Sequence, residues 1–223
     1  MIYRFDFSAV WEAWPQLLEG VRQTLVLSSL AMAIGMILAV FGALGKSWGP
    51  GPVRLLIGAY VEIIRNTPFP IQLFMIYFGL PVANIRLSPD TTALLALTLN
   101  FVAYGIEIVR AGIESIPRGQ IEAGRALGLR PLQIFRLVVL KPAIQSIYPA
   151  LTSQFILLML YSSVCSTIAA TELTGTAGDI VSRTFRSFEV YFAITVIYYL
   201  MSVFFWALFD TIERRYLALP SKR

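Results

Sequence analysis

Five long apolar runs, at 17–44, 53–80, 91–113, 143–169 and 191–209, decide what this chain can fold into. A helix needs roughly 20 apolar residues to cross about 30 Å of hydrocarbon, and lipid offers no partner to an exposed peptide group. Each run is therefore expected to be a membrane helix. Composition agrees, since 57% of the residues are hydrophobic and 14% are charged, whereas a soluble domain carries about a quarter of its residues charged. The expected fold class is all-α: one polytopic membrane domain over residues 1–223 with five transmembrane helices.

An odd number of crossings puts the two termini on opposite sides. Lys46, Arg54, the six basic residues from Arg110 to Lys141 and the four from Arg214 to Arg223 fall on one side, twelve in all. Arg4, Arg22, Arg86, Arg183 and Arg186 fall on the other, and Arg65 lies within the second run. The excess of Lys and Arg marks the cytoplasmic face, so the C-terminus is expected inside and the N-terminus outside. This sidedness accounts for the net charge of +5 and leaves nothing that calls for nucleic acid.

The opening "MIYRFDFSAVWEAWPQLLEG" has mixed charge and no small-residue cleavage site, so no removable signal peptide is expected. Phe7, Val10, Trp11, Trp14, Leu17 and Leu18 recur at helical spacing, which predicts a short helix on the outer interface. Ala31, Gly35, Ala39 and Ala43 recur every fourth residue, a ridge that allows close helix contact within the subunit or against a second one. The segment from Ala170 to Glu189 is expected to be an outer loop with turns at Gly175 and Gly178, either solvated or receiving an external protein.

The absence of histidine and the single cysteine, Cys165, exclude Ser-His-Asp and Cys-His nucleophiles, Cys/His zinc sites and an intrachain disulfide. No Gly-rich loop ending in Lys-Ser or Lys-Thr is present, so energy from a nucleotide has to come through another chain.

Ionisable groups inside a membrane are expensive and usually functional. Arg65 follows Val53 by 12 residues, about 18 Å along a helix and near mid-bilayer. Asn66, Thr67, Pro68 and Pro70 come next, and prolines disrupt helical hydrogen bonding. The segment is expected to line a central cavity, with Arg65, Asn66, Thr67 and Gln72, together with Asn100, Tyr161, Ser162 and Ser163, as candidates for the substrate path. Arg65 either meets a carboxylate or pairs with Glu62 or Glu107 to hold the bundle together. Glu107 and Arg110, one turn apart, are expected to form an ion pair or an inner gate.

Residues 116–142 are too apolar for a solvated linker and too short and charged for a span. Gly128 and Pro131 divide them into two short helices, and Pro142 is expected to open the next span. Their apolar face is expected to dock on the bundle itself or on a cytoplasmic partner.

"EAGRALG" followed by "VVLKP" resembles the EAA loop of ABC-importer permeases. Glu122, Ala123, Gly128, Val138 and Leu140 occupy its pattern, with Arg125 and Leu127 between; Gly124 replaces the second alanine, and Lys141 displaces the proline to Pro142. "LLEGVRQTL", "EIIRNTPFPIQLFMIYFGLP", "LALTLNFVAYGIEIVRAGIESIPRGQIEAGRALG" and "RSFEVY" extend the resemblance to polar amino-acid permeases of the histidine, glutamine, arginine and opine type.

The resemblance implies the type I importer permease fold in a bacterial cytoplasmic (inner) membrane. It implies a cytoplasmic ABC ATPase dimer that carries ATP and Mg, with no cofactor and no catalytic residue on this chain. A second permease, identical or a sister, and an extracytoplasmic amino-acid-binding protein complete the implied assembly. Many members carry an aspartate where this chain has Tyr161. Broken helices and intramembrane charges also suit a secondary transporter driven by an ion gradient, the runner-up, against which stand the EAA-like loop and the short chain.

Overall fold

A computed structural model describes residues 4–217, and every regular element among them is helical. Lys222 and Arg223, counted with the cytoplasmic charges, lie outside the described residues. In chain order the helices are α1 (Ser8–Glu12), α2 (Trp14–Trp48), α3 (Gly51–Arg65), α4 (Phe69–Gly79), α5 (Pro89–Glu114), α6 (Arg118–Ala126), α7 (Pro131–Ile134), α8 (Leu140–Tyr161), α9 (Leu173–Thr184) and α10 (Ser187–Ile212). Four continuous stretches are long and apolar enough to cross a membrane: Trp14–Trp48, Pro89–Glu114, Pro131–Ile168 and Ser187–Leu217. The second apolar run, 53–80, is divided between α3 and α4, whose 15 and 11 residues each fall short of a bilayer.

Local chemistry sets the boundaries. The Ser88 hydroxyl accepts the Thr91 N–H, and Pro89 occupies the first helical position of α5, where its missing N–H costs nothing. Asn84, Ala169 and Phe185 adopt left-handed conformations that stop the helical segments before them.

The frame is the contact between α2 and α5. Gly20, Thr24, Ser28, Ala31, Gly35, Ala39 and Ala43 form one buried stripe along α2. Added to Gly35, a Cβ would stand 2.6 Å from the Phe101 ring, and on Gly105 2.7 Å from Ala39; only small residues let the two backbones come this close. The Ser28 hydroxyl returns to the Thr24 carbonyl of its own helix (2.7 Å). The ridge thus packs within the subunit. Phe101, Leu97, Ala31, Leu73, Leu158 and Cys165 form the main core where α2, α4, α5 and the end of the α8 stretch meet.

Three sequence expectations change. Pro142 does not open a span, because the helix that begins at Pro131 runs unbroken to Ile168. A wide π turn over Phe135–Val139, in which the Leu140 N–H reaches back to the Phe135 carbonyl, stands just ahead of the proline and absorbs the misfit. The supposed outer loop contains α9, whose Leu173, Ala177 and Ile180 are buried at helical spacing. The segment around α1 does not merely lie on an interface: Val10, Ala13 and Leu17 are buried with α9 and α10, while Trp11 and Trp14 face outward.

Candidate functional site

The helix break between α3 and α4 is built from prolines and then repaired by side chains. Pro68 has no N–H to return to the Ile64 carbonyl. The Gln72 amide nitrogen takes that carbonyl instead (2.8 Å) and lies 3.0 Å from both the carbonyl and the hydroxyl oxygen of Thr67. The Thr67 hydroxyl donates to the Ile63 carbonyl (2.8 Å), and the Asn66 amide to the Glu62 carbonyl (2.8 Å). The carbonyls of Glu62, Ile63 and Ile64 thus all have donors, as burial in an apolar medium demands.

The break leaves Arg65, Asn66 and Thr67 exposed on one face, beside exposed Glu62. The Arg65 guanidinium carbon lies 5.6 Å from the centre of the Tyr104 ring, a cation–π arrangement. Among the described residues no carboxylate is within ion-pairing reach of Arg65, so the pairing expected with Glu62 or Glu107 is absent. Glu107 is engaged elsewhere: Lys46 at the end of α2 stands 2.6 Å from it and Arg110 2.9 Å, and Arg110 also meets Glu114 at 2.5 Å. This four-residue network ties the end of α2 to α5.

Other path candidates are spread between the core and the open face. Gln72 and Asn100 are buried and bonded to each other, Asn100 Nδ2 donating to Gln72 Oε1 at 3.0 Å. Tyr161 is half-buried, its ring stacked on Phe69 at 5.4 Å between centroids. Ser162 is fully buried with its hydroxyl on the Met159 carbonyl, and the half-buried Ser163 returns to Leu160. The three together do not form a hydroxyl-lined wall; Ser162 faces the core.

Beyond the end of α5, α6 ends in a tight corner. Gly128 takes φ +74°, its N–H bonds the Arg125 carbonyl (2.9 Å), and the Leu129 N–H reaches the Gly124 carbonyl (3.1 Å). This is the Schellman closure, which needs a residue without a Cβ at the left-handed position. Gly124 is buried, and a Cβ there would press on Ile134 at 3.2 Å, so a glycine in place of the second alanine lets α6 and α7 close together. Glu122, Ala123 and Arg125 are exposed, as is Leu140, whereas Val138 is half-buried. At the corner Leu127 is 80% and Leu132 76% exposed. Arg125 and Gly128 also line a cavity of about 470 Å3 with Trp48, Ile121, Leu129 and Phe135.

The corner is tied to the bundle through α5 and α8. The Ser115 hydroxyl donates to the Gly112 carbonyl (2.7 Å) and its oxygen lies 3.1 Å from that of Ser146, and Gly112 lies directly against Ile147. At the opposite end of the molecule sequence reading missed Glu172, a fully buried carboxylate that caps α9 through the N–H groups of Thr174 and Gly175 and accepts the Tyr198 hydroxyl (2.8 Å). Burial pushes its carboxyl above the ordinary range, against the pull of those donors. The signal was there: an acidic residue directly before Leu173, Ala177 and Ile180 at helical spacing.

Residues 24–218 match the family described as binding-protein-dependent transport system inner membrane component. The chain belongs to this family. The glutamine transport system permease protein of Escherichia coli strain K12 is 34% identical over 214 residues, with 95% of this chain and 98% of that protein covered. The nopaline transport system permease protein of Agrobacterium fabrum is 37% identical over 203 residues, covering 86% of this chain and 84% of that protein. Among solved structures, an amino acid ABC transporter described with histidines superposes with a TM-score of 0.89 at 38% identity, covering 96% of this chain and all of that one.

The chain is thus a multi-pass membrane permease subunit of an ABC importer. It is not itself an enzyme, and ATP hydrolysis belongs to a separate chain. The ion-gradient reading is not favoured.

Proposed function

We propose that this permease imports polar amino acids across the bacterial cytoplasmic membrane, crossing it five times with the N-terminus outside and the C-terminus inside. In this reading α3 and α4 cross together as one broken span. A cytoplasmic ABC ATPase dimer, which carries the ATP and Mg, engages the corner at Gly128; this chain binds no cofactor of its own. A second permease, identical or a sister, completes the path, and an extracytoplasmic amino-acid-binding protein delivers the substrate to the outer face.

The observation that carries the substrate class is Arg65: a guanidinium on a broken membrane helix, exposed, stacked on Tyr104 and without a carboxylate partner among the described residues. Such a group is suited to a free carboxylate. Relatives named for glutamine and nopaline transport carry cargoes that share this group. For the ATPase contact the support is the pair of exposed leucines, Leu127 and Leu132, at the corner.

The test is uptake of a labelled amino-acid panel into vesicles that contain this chain, its genomically neighbouring subunits and the binding protein. Uptake of polar amino acids only when ATP is supplied on the cytoplasmic face is the expected result. Uptake that follows an ion gradient without ATP, or a panel with no polar amino acid carried, overturns the reading.

A further inference from the structure

We propose that Gln72 is a positioning residue for transport: held by Asn100 of α5, its carboxamide fixes the helix break that presents Arg65, without itself meeting the substrate. The inference rests on the reading that this break borders the substrate path, and it assigns a different role to a residue that the sequence places in the path.

The geometry leaves Gln72 no free end. Its nitrogen faces three oxygens, the carbonyls of Ile64 and Thr67 and the hydroxyl of Thr67, at 2.8 to 3.0 Å. Only a donor fits there, so the amide orientation is fixed. Its oxygen accepts from Asn100 Nδ2 at 3.0 Å, and the residue is 9% exposed. A ligand would have to displace a bond that stands in for the N–H Pro68 lacks.

One turn of α5 grips both halves of the broken helix. On the α3 side the Tyr60 hydroxyl donates to the Leu99 carbonyl at 2.5 Å; on the α4 side Gln72 meets Asn100, the next residue. Arg65 lies between the two grips and rests on Tyr104, again on α5. The lower end of the same helix carries Glu107 and Arg110 and leads directly into α6. A shift of α5 driven at the corner therefore reaches Arg65 through the Leu99–Asn100 turn, and the Gln72–Asn100 bond keeps α4 in step with it.

The test places spin labels on Leu56 and Met75, exposed residues on α3 and α4, in the assembled transporter; the native Cys165 is fully buried. Gln72→Leu is expected to broaden the distance distribution across the break. It should raise the apparent KM about ten-fold for every amino acid carried, in equal proportion, with the maximal rate much less affected. Gln72→Glu should act in the same direction, because an acceptor then faces acceptors. Should Gln72→Leu fail to assemble, Gln72→Met, which keeps the length of the side chain, supplies the same readout. Asn100→Leu added to Gln72→Met should cost no more than Gln72→Met alone, since the bond that Asn100 gives to Gln72 is already lost.

An unchanged distance distribution overturns the proposal. So does a selective change in which amino acids are carried, such as Gln72→Glu favouring cationic ones, because that marks a direct contact with substrate. Additive effects of Gln72→Met and Asn100→Leu overturn it as well. Arg65→Ala separates this proposal from the reading on which it rests: unaltered uptake with Arg65→Ala sinks the path assignment, whereas the label distances still judge the clamp.

Discussion

Two bends interrupt the helices of this permease, and they are held in different ways. At the break after Arg65 the backbone lacks its own donors, and the side chains of Asn66, Thr67 and Gln72 complete it. At the corner after α6 the backbone closes on itself through Gly128 and Leu129, and the side chains are left outward, Leu127 foremost. The first arrangement makes shape depend on particular side chains. In the second, shape depends on one glycine, and the side chains are left exposed.

The comparison breaks first at Gly128. Gly128→Pro removes the N–H that bonds Arg125 and demands φ near −65° where the chain has +74°. Loss of ATP-driven uptake and of co-purification with the ATPase is expected; intact association would show that the corner is not the docking element. Next comes Arg65→Ala, for which loss of a charge-assisted bond worth about 1.5–3 kcal/mol predicts a rise in apparent KM of roughly ten- to a hundred-fold. Unchanged kinetics would reduce Arg65 to packing on Tyr104.

Between the two bends lies the charge network on α5. Glu107→Gln leaves Lys46 and Arg110 sharing a neutral partner, and a loss of about 1–2 kcal/mol is expected from thermal unfolding in detergent. No shift would mean that the small-residue contact alone holds α2 to α5. The smallest expected effect is that of Leu127→Ala, which keeps the corner and removes one exposed knob. Weakening of ATPase binding by several-fold, about 1 kcal/mol, with uptake retained at high ATPase concentration is expected. A loss as large as that from Gly128→Pro would mean that the side chain, rather than the backbone, shapes the corner.

Much of this was legible in the sequence wherever a residue type has one physical use. The runs that became α2, α5 and α10 announce themselves by length, Pro68 and Pro70 by missing donors, and Gly128 by the only backbone region it alone enters cheaply. What stayed hidden depends on partners far along the chain. Gln72 reaches back to Ile64, and Asn100 to Gln72 across 28 positions; a lone amide inside "FPIQLFMIYFG" was the available hint. Glu107 chose Lys46, 61 positions away, over Arg65. Pro142 looked like a helix start because the widened turn that accommodates it leaves no mark in composition. Helix α9 was masked by Gly175 and Gly178, whose weak helix propensity is outweighed by the burial of Leu173, Ala177 and Ile180.

The stripe on α2 also bears on the order in which the protein is made. Helix α2 leaves the ribosome before α5 exists to cover it, so during synthesis Thr24, Ser28 and the glycines below them face lipid or the insertion machinery. Ser28 meets that interval with a bond inside its own helix, so its hydroxyl needs no neighbour to remain in hydrocarbon. Thr24 differs, because its hydroxyl oxygen later accepts the N–H of Leu173, 149 residues downstream. Helix α2 thus carries an acceptor reserved for a segment made 149 residues later, and this contact can form only after α3 to α8 have been made.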